Sequence, residues 1–150
     1  MSEIKHLGVD TCWDLLRSVQ VGRLAVIVGE RPEIFPVNHV VDRGTIIFRT
    51  ADGTKLAGAL GGAPVAFEVD GYDEDAGEAW SVVAKGQAEE IRQLHDVMDT
   101  VDLPLEPWHG EPKHRFIRIE PEEVSGRRFA VSDPAGWESL LRRAPRAPHE

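Results

Sequence analysis

At 150 residues, with 41% hydrophobic and 29% charged residues, the chain has the size and composition of one globular domain. Its formal net charge of −9 argues against a general binder of nucleic acid or acidic membranes, and no apolar run approaches the ~18 residues a membrane helix needs. The N-terminus, MSEIKHLGVDTCWDLL, lacks a signal-peptide core, so a cytoplasmic protein is expected; a single Cys12 allows no internal disulfide, and the histidines form no metal-binding motif.

In chain order, Asp10 or Thr11 can cap a helix in which Cys12, Leu15, Leu16 and Val19 recur at i, i+3, i+4, i+7, which makes Cys12 a core residue rather than a nucleophile. Gly22 ends that helical region. Arg23–Val28 reads as a strand, closed by Gly29-Glu30-Arg31-Pro32. The apolar run Ile34–Val41, with Asn38 and His39 inside it, the turn Asp42-Arg43-Gly44 and the run Thr45–Thr50 together predict a β-hairpin. A second turn, Ala51-Asp52-Gly53, leads to Thr54–Leu60, where Leu56, Ala59 and Leu60 fall at helical spacing.

This strand-to-helix turn is a candidate anion site. Backbone N–H groups of a first helical turn have no partners inside the helix, and the macrodipole adds partial positive charge. Thr50 and Thr54 can donate hydroxyl hydrogen bonds and Lys55 adds a full charge. Strand side chains alternate, so if Thr50 faces the site, Arg49 starts on the opposite face. The same residues also read as a helix cap beside a solvated lysine.

Gly61-Gly62-Ala63-Pro64 is a turn, Val65–Val69 an alternating strand, and Asp70–Gly77 an acidic loop without calcium-loop spacing. Glu78–Ile91 is the longest strand candidate, with Gly86 marking a bulge or a close approach to another backbone. Leu94, Val97, Met98 and Val101 repeat at helical spacing before Leu103-Pro104, and the proline-rich Pro104–Pro112 carries Trp108. His114–Glu120 and Val124–Val131 read as a last strand pair separated by Pro121-Glu122-Glu123. These strand segments with short flanking helices predict a mainly β, α+β fold: an antiparallel barrel over residues 1–131. The tail, 132–150, contains a short helix from Asp133-Pro134 with Trp137, Leu140 and Leu141 on one face, followed by a frayed terminus.

The order Pro36-Val37-Asn38, an apolar strand, Phe48-Arg49-Thr50 and Gly53-Thr54-Lys55-Leu56 resembles the pyridoxamine 5′-phosphate oxidase-like family of flavin-binding split β-barrels. Val21–Val26, Trp80–Val83, Gly86-Gln87-Ala88, Ile117-Arg118-Ile119 and Gly126-Arg127 extend the resemblance over roughly residues 8 to 130. It implies a six-stranded split barrel and a homodimer holding flavin mononucleotide (FMN) at its interface. Thr50, Thr54 and Lys55 would take the phosphate, Arg49 would add a contact, and Pro36, Val37, Asn38 and His39 would run along the isoalloxazine ring. Relatives often carry an aromatic residue where His39 stands. Trp80 and Ser81 match a strand near the partner subunit's flavin; Trp80 also reads as a core or interface aromatic, and Ser81 as an outward strand residue.

No Ser/His/Asp or paired-carboxylate arrangement stands out, so hydrolase chemistry has no support, and the pyridoxine-phosphate residues of the family's namesake oxidase are not recognisable. The resemblance implies an FMN-dependent oxidoreductase acting on a small molecule. Its variants are a deazaflavin (coenzyme F-420) reductase, which would want basic groups such as Arg43 or Arg49 at the pocket mouth, and a non-enzymatic flavin-binding module. A haem-handling protein with His39 or His109 as ligand is a further variant.

Overall fold

The computed structural model describes residues 4–51, 61–91, 114–131 and 134–143. Seven strands and two helices follow in the order β1 (Lys5–Leu7), α1 (Val9–Ser18), β2 (Val21–Val28), β3 (Arg31–Asp42), β4 (Thr45–Ala51), β5 (Pro64–Asp73), β6 (Glu78–Glu90), β7 (His114–Ala130) and α2 (Pro134–Arg143). The expected helices at Thr54–Leu60 and Leu94–Val101, and the Pro104–Pro112 loop, lie outside the described residues.

The strands form one antiparallel sheet in the order β1-β7-β4-β3-β2-β5-β6, and β6 pairs back onto β7. Six strands therefore close a ring, as the spacing of strand signals predicts, and closure satisfies edges that an open sheet would expose. Two tight hairpins set the register of β2, β3 and β4. Gly29 and Glu30, and again Arg43 and Gly44, have positive φ at the two central positions, between the pairs Val28–Arg31 and Asp42–Thr45. That geometry twists with the strands, and one glycine in each turn halves its steric cost. The Thr45 hydroxyl donates to the Asp42 carbonyl at 2.6 Å and braces the second turn.

Alternate residues of each strand fill the ring: Leu24 and Val26 from β2, Phe48 from β4, Phe67 from β5, Val82 from β6 and Ile117 from β7. Helix α1 packs on the same core through Cys12 and Leu16, both fully buried. Gly22 lies inside β2 rather than at the end of the helix. A Cβ there would run into the Phe67 ring, so its absence lets that ring fill the barrel.

Further expectations change, among them the acidic loop, whose first half, Asp70 to Asp73, extends β5. The helix starts at Val9, with Gly8 as its cap, instead of at Asp10 or Thr11; the Cys12 N–H already donates to the Gly8 carbonyl at 3.0 Å, which draws the first turn forward. The predicted last strand pair is one continuous strand, β7. Lys85 pairs with Glu123 but Gly86 with Pro121, so one extra residue is absorbed as a bulge at the place where proline suggested a turn. The short β1, paired with β7 from Lys5–Arg128 to Leu7–Gly126, was not expected from a segment of so few apolar residues.

Candidate functional site

Strands β3 and β4 pair from the Asp42–Thr45 turn only as far as His39–Phe48. Beyond that point β3 continues beside β2, through Asn38–Val21 and Pro36–Arg23, while β4 continues beside β7, through Arg49–Phe116 and Thr50–Arg115. The ladder forks there. Asn38 and Arg49 are the first residues on its two arms, and among the described residues the edge of β3 that faced β4 has no strand partner from Asn38 backwards. Backbone N–H and C=O groups on such an edge are available to a ligand.

Alternation sorts the residues of the fork. Val37, His39, Phe48 and Thr50 point into the barrel and are buried, whereas Pro36, Asn38 and Arg49 point outward. Thr50 and Arg49 thus lie on opposite faces, as the strand pattern requires. The outer face here is covered: Ile47, two residues before Arg49 on that side, is fully buried without belonging to the barrel core. Arg49 carries a guanidinium nitrogen, Nη2, that is buried and has no hydrogen-bond partner. A buried cationic donor left unsatisfied is costly, so this atom marks a place suited to an anion. The sequence ranks Arg49 as a supporting contact; the signal it offers is an arginine following Ile46-Ile47-Phe48, a run with both faces apolar.

His39 has a different setting. Its Nε2–H donates to the Leu16 carbonyl at 2.8 Å, its backbone N–H donates to Gln20 at 3.0 Å, and its ring meets Phe67 edge-on at 4.8 Å between centroids. Burial holds the imidazole below its ordinary pKa, an effect that the hydrogen bonds to Leu16 and Gln20 oppose, and Nδ1 is buried without a partner. The side chain therefore ties β3 to α1, and along this strand Asn38 supplies the outward polar group.

Trp80 points inward and packs on the core, with its indole lying across Gly71, where a Cβ would come within 2.6 Å of it. Ser81 faces outward between Asp70 and Arg127. Along β7 the partners of Arg49 and Ser81, Phe116 and Arg127, lie roughly 36 Å apart, but round the other side of the ring the pairs Pro36–Arg23, Arg23–Glu68 and Glu68–Val83 bring this part of β6 within three strand spacings, about 14 Å, of the β3 arm of the fork. Arg43 sits in the hairpin turn at the other end of β4 and does not converge on Arg49. Thr54, Lys55 and His109 lie outside the described residues. Among the described residues no group of three His, Cys, Asp or Glu side chains is placed to hold a metal ion, and no helix is long and apolar enough to cross a membrane.

A family model described as pyridoxamine 5′-phosphate oxidase matches residues 8–128. An uncharacterized protein of Mycobacterium tuberculosis is 36% identical over 134 residues, which cover 86% of this chain and 88% of that protein. The structure of an FAD binding protein from Mycobacterium smegmatis is 38% identical, with a TM-score of 0.74, covering 84% of this chain and 98% of the other. A FAD-binding protein from Mesorhizobium loti is 25% identical with a TM-score of 0.67, covering 83% and 97%.

Proposed function

The chain belongs to the pyridoxamine 5′-phosphate oxidase family, and on that footing we propose that it binds a flavin nucleotide, with Arg49 at the β3–β4 fork holding the phosphate. The observation that carries this reading is the buried Nη2 of Arg49, which lacks an acceptor. A flavin phosphate would supply that acceptor and remove the cost of an unsatisfied buried cation. The Asn38 side-chain amide, the Asn38 main-chain N–H and C=O and the Pro36 carbonyl, on the edge of β3 away from β2, would meet polar atoms of the isoalloxazine, while Val37 and His39, whose main-chain groups turn to β2 as the His39 N–H to Gln20 bond does, would support the strand. Thr54 and Lys55, which follow β4 in sequence, are proposed as further phosphate contacts, and Thr50, which points inward, as a support of the strand end.

The nucleotide proposed is FMN. FAD, which contains the same proximal phosphate, is the form that the similar proteins from M. smegmatis and M. loti bind. When bound, a flavin transfers hydride or electrons, and the protein's share is to position the ring and exclude water. We assign the protein to the oxidoreductases acting on a small molecule.

The reading includes a homodimer in which a second copy brings Trp80 and Ser81 to the ring. An apolar outer face on β2 and β3, with Val21 48%, Ile27 58% and Ile34 66% exposed, supports the same arrangement. Titrations with FMN, FAD and the deazaflavin coenzyme, read by absorbance and fluorescence, test the function. Saturable FMN or FAD binding is expected. Tighter binding of the deazaflavin replaces the cofactor assignment, absence of binding by all three removes the reading, and a bound flavin never reduced or reoxidised with any donor and acceptor pair leaves a binding module in place of an oxidoreductase.

A further inference from the structure

The apolar outer face of β2 and β3 has a charged centre. Arg23 stands on β2 between Val21 and Ala25, all three pointing outward, and its partners on the neighbouring strands are Pro36 of β3 and Glu68 of β5. Asp70 follows Glu68 two residues further along the same face of β5. The exposed Val21, Ile27 and Ile34 surround this centre, so a second copy that covers the face covers the charges with it.

The charges at this centre do not balance. The Arg23 guanidinium lies 3.4 Å from a carboxylate oxygen of Glu68 and 3.4 Å from one of Asp70, so a single cation serves two acids. Around Glu68, β2 adds the uncharged Val21 and Ala25, and Pro36 of β3 lies beyond Arg23. From β6, Val83 stands directly opposite Glu68, with Ser81 and Lys85 on the diagonals. Lys85 is the one charged residue that β6 turns this way, and it has Glu123 of β7 opposite it on its other side. Two carboxylates that share one arginine hold a proton more readily than either would alone. Burial first, and then the hydrogen bond and negative charge of Asp70, push Glu68 up to about 7, while Arg23 pulls the other way.

We propose that Glu68 is the proton switch of the homodimer: two copies meet over the outer face of β2, β3 and β5, and each Glu68 takes up a proton as they do. The proposal rests on the homodimer reading above. A two-fold contact is isologous, so each copy meets the same surplus of negative charge that it carries itself. Contact expels the water that solvates this surplus in the single chain. A buried carboxylate without its own cation then costs more than a carboxylic acid that donates to its neighbour. Protonated Glu68 donates to Asp70, Arg23 keeps one carboxylate, and the cluster is neutral. Below neutral pH the proton is already in place; above it the proton must be drawn from solution, so association weakens as the pH rises.

The test is sedimentation of the full-length protein over a dilution series at pH 6.5 and pH 8.5, at one salt concentration, for the wild type, Glu68→Gln and Asp70→Asn. The wild-type dimer dissociation constant should be roughly tenfold or more larger at pH 8.5 than at pH 6.5. Glu68→Gln, which carries the neutral form at every pH, should give equal constants at the two pH values and a tighter dimer than the wild type at pH 8.5. Asp70→Asn leaves Glu68 alone with Arg23 and should flatten the profile as well. A dimer of equal strength at both pH values, one that tightens as the pH rises, or a dependence that Glu68→Gln retains overturns the proposal and leaves the homodimer standing. Monomers at every concentration and both pH values remove both.

Discussion

The imidazole Nε2 of His39 lies 2.8 Å from the carbonyl oxygen of Leu16, so one side chain from the centre of β3 ties down the last turn of α1. That bond uses one ring nitrogen as a donor and leaves the other buried without a partner, an arrangement that suits the neutral ring.

Acid should therefore loosen this junction. Burial lowers the folded-state pKa of His39 below its ordinary 6.5, so the unfolded chain takes up the proton more readily. The contribution is complete above pH 6.5 and is lost progressively as the pH falls below it. Urea midpoints measured from pH 7.5 to 5.5 should fall in the wild type and fall less in His39→Gln; parallel profiles for the two proteins would exclude His39 as the source.

Gly86→Ala should destabilise the barrel by about 3 kcal/mol, because a Cβ at this position would run into the backbone carbonyl of Glu120, which cannot swing aside as a side chain can. Gly61→Ala, where a Cβ meets nothing within 4 Å, serves as the control and should change the urea midpoint little. Equal effects at the two glycines would show that the bulge tolerates a side chain.

Cys12 should resist thiol reagents in the native protein. It is fully buried, and burial raises its pKa, so little thiolate is present to react at pH 8. Labelling is expected to follow global unfolding, rising steeply with urea. Rapid labelling in buffer alone would mean that α1 opens independently of the barrel.

Much of this was legible in the residues themselves. The turns at Gly29-Glu30 and Arg43-Gly44 and the β-branched runs beside them predict the hairpins that carry the fork. Gly86 proves to be both of the things its position suggests, a neighbour of a bulge and a site of close backbone approach. The continuous β7 was hidden because Pro121 has no N–H to donate and so reads as a strand end, while a bulge accommodates it. Strand alternation places Arg49 and Thr50 on opposite faces, yet it cannot report that the outer face over Ile47 and Arg49 is covered, which is a property of tertiary packing. The placement of Trp80 and Ser81 relative to the fork likewise emerges only from the closed ring, in which β6 is reached from β3 across β2 and β5.

The central claim, that Arg49 holds the phosphate of a flavin nucleotide at the fork, is tested most directly by comparing FMN with riboflavin, which lacks the phosphate, in the wild type and in Arg49→Ala. Loss of one charge-assisted contact of roughly 1.5–3 kcal/mol should weaken FMN binding by about 10- to 100-fold, with riboflavin affinity unchanged. FMN affinity equal to that of the wild type, or a loss shared equally by riboflavin, would contradict it.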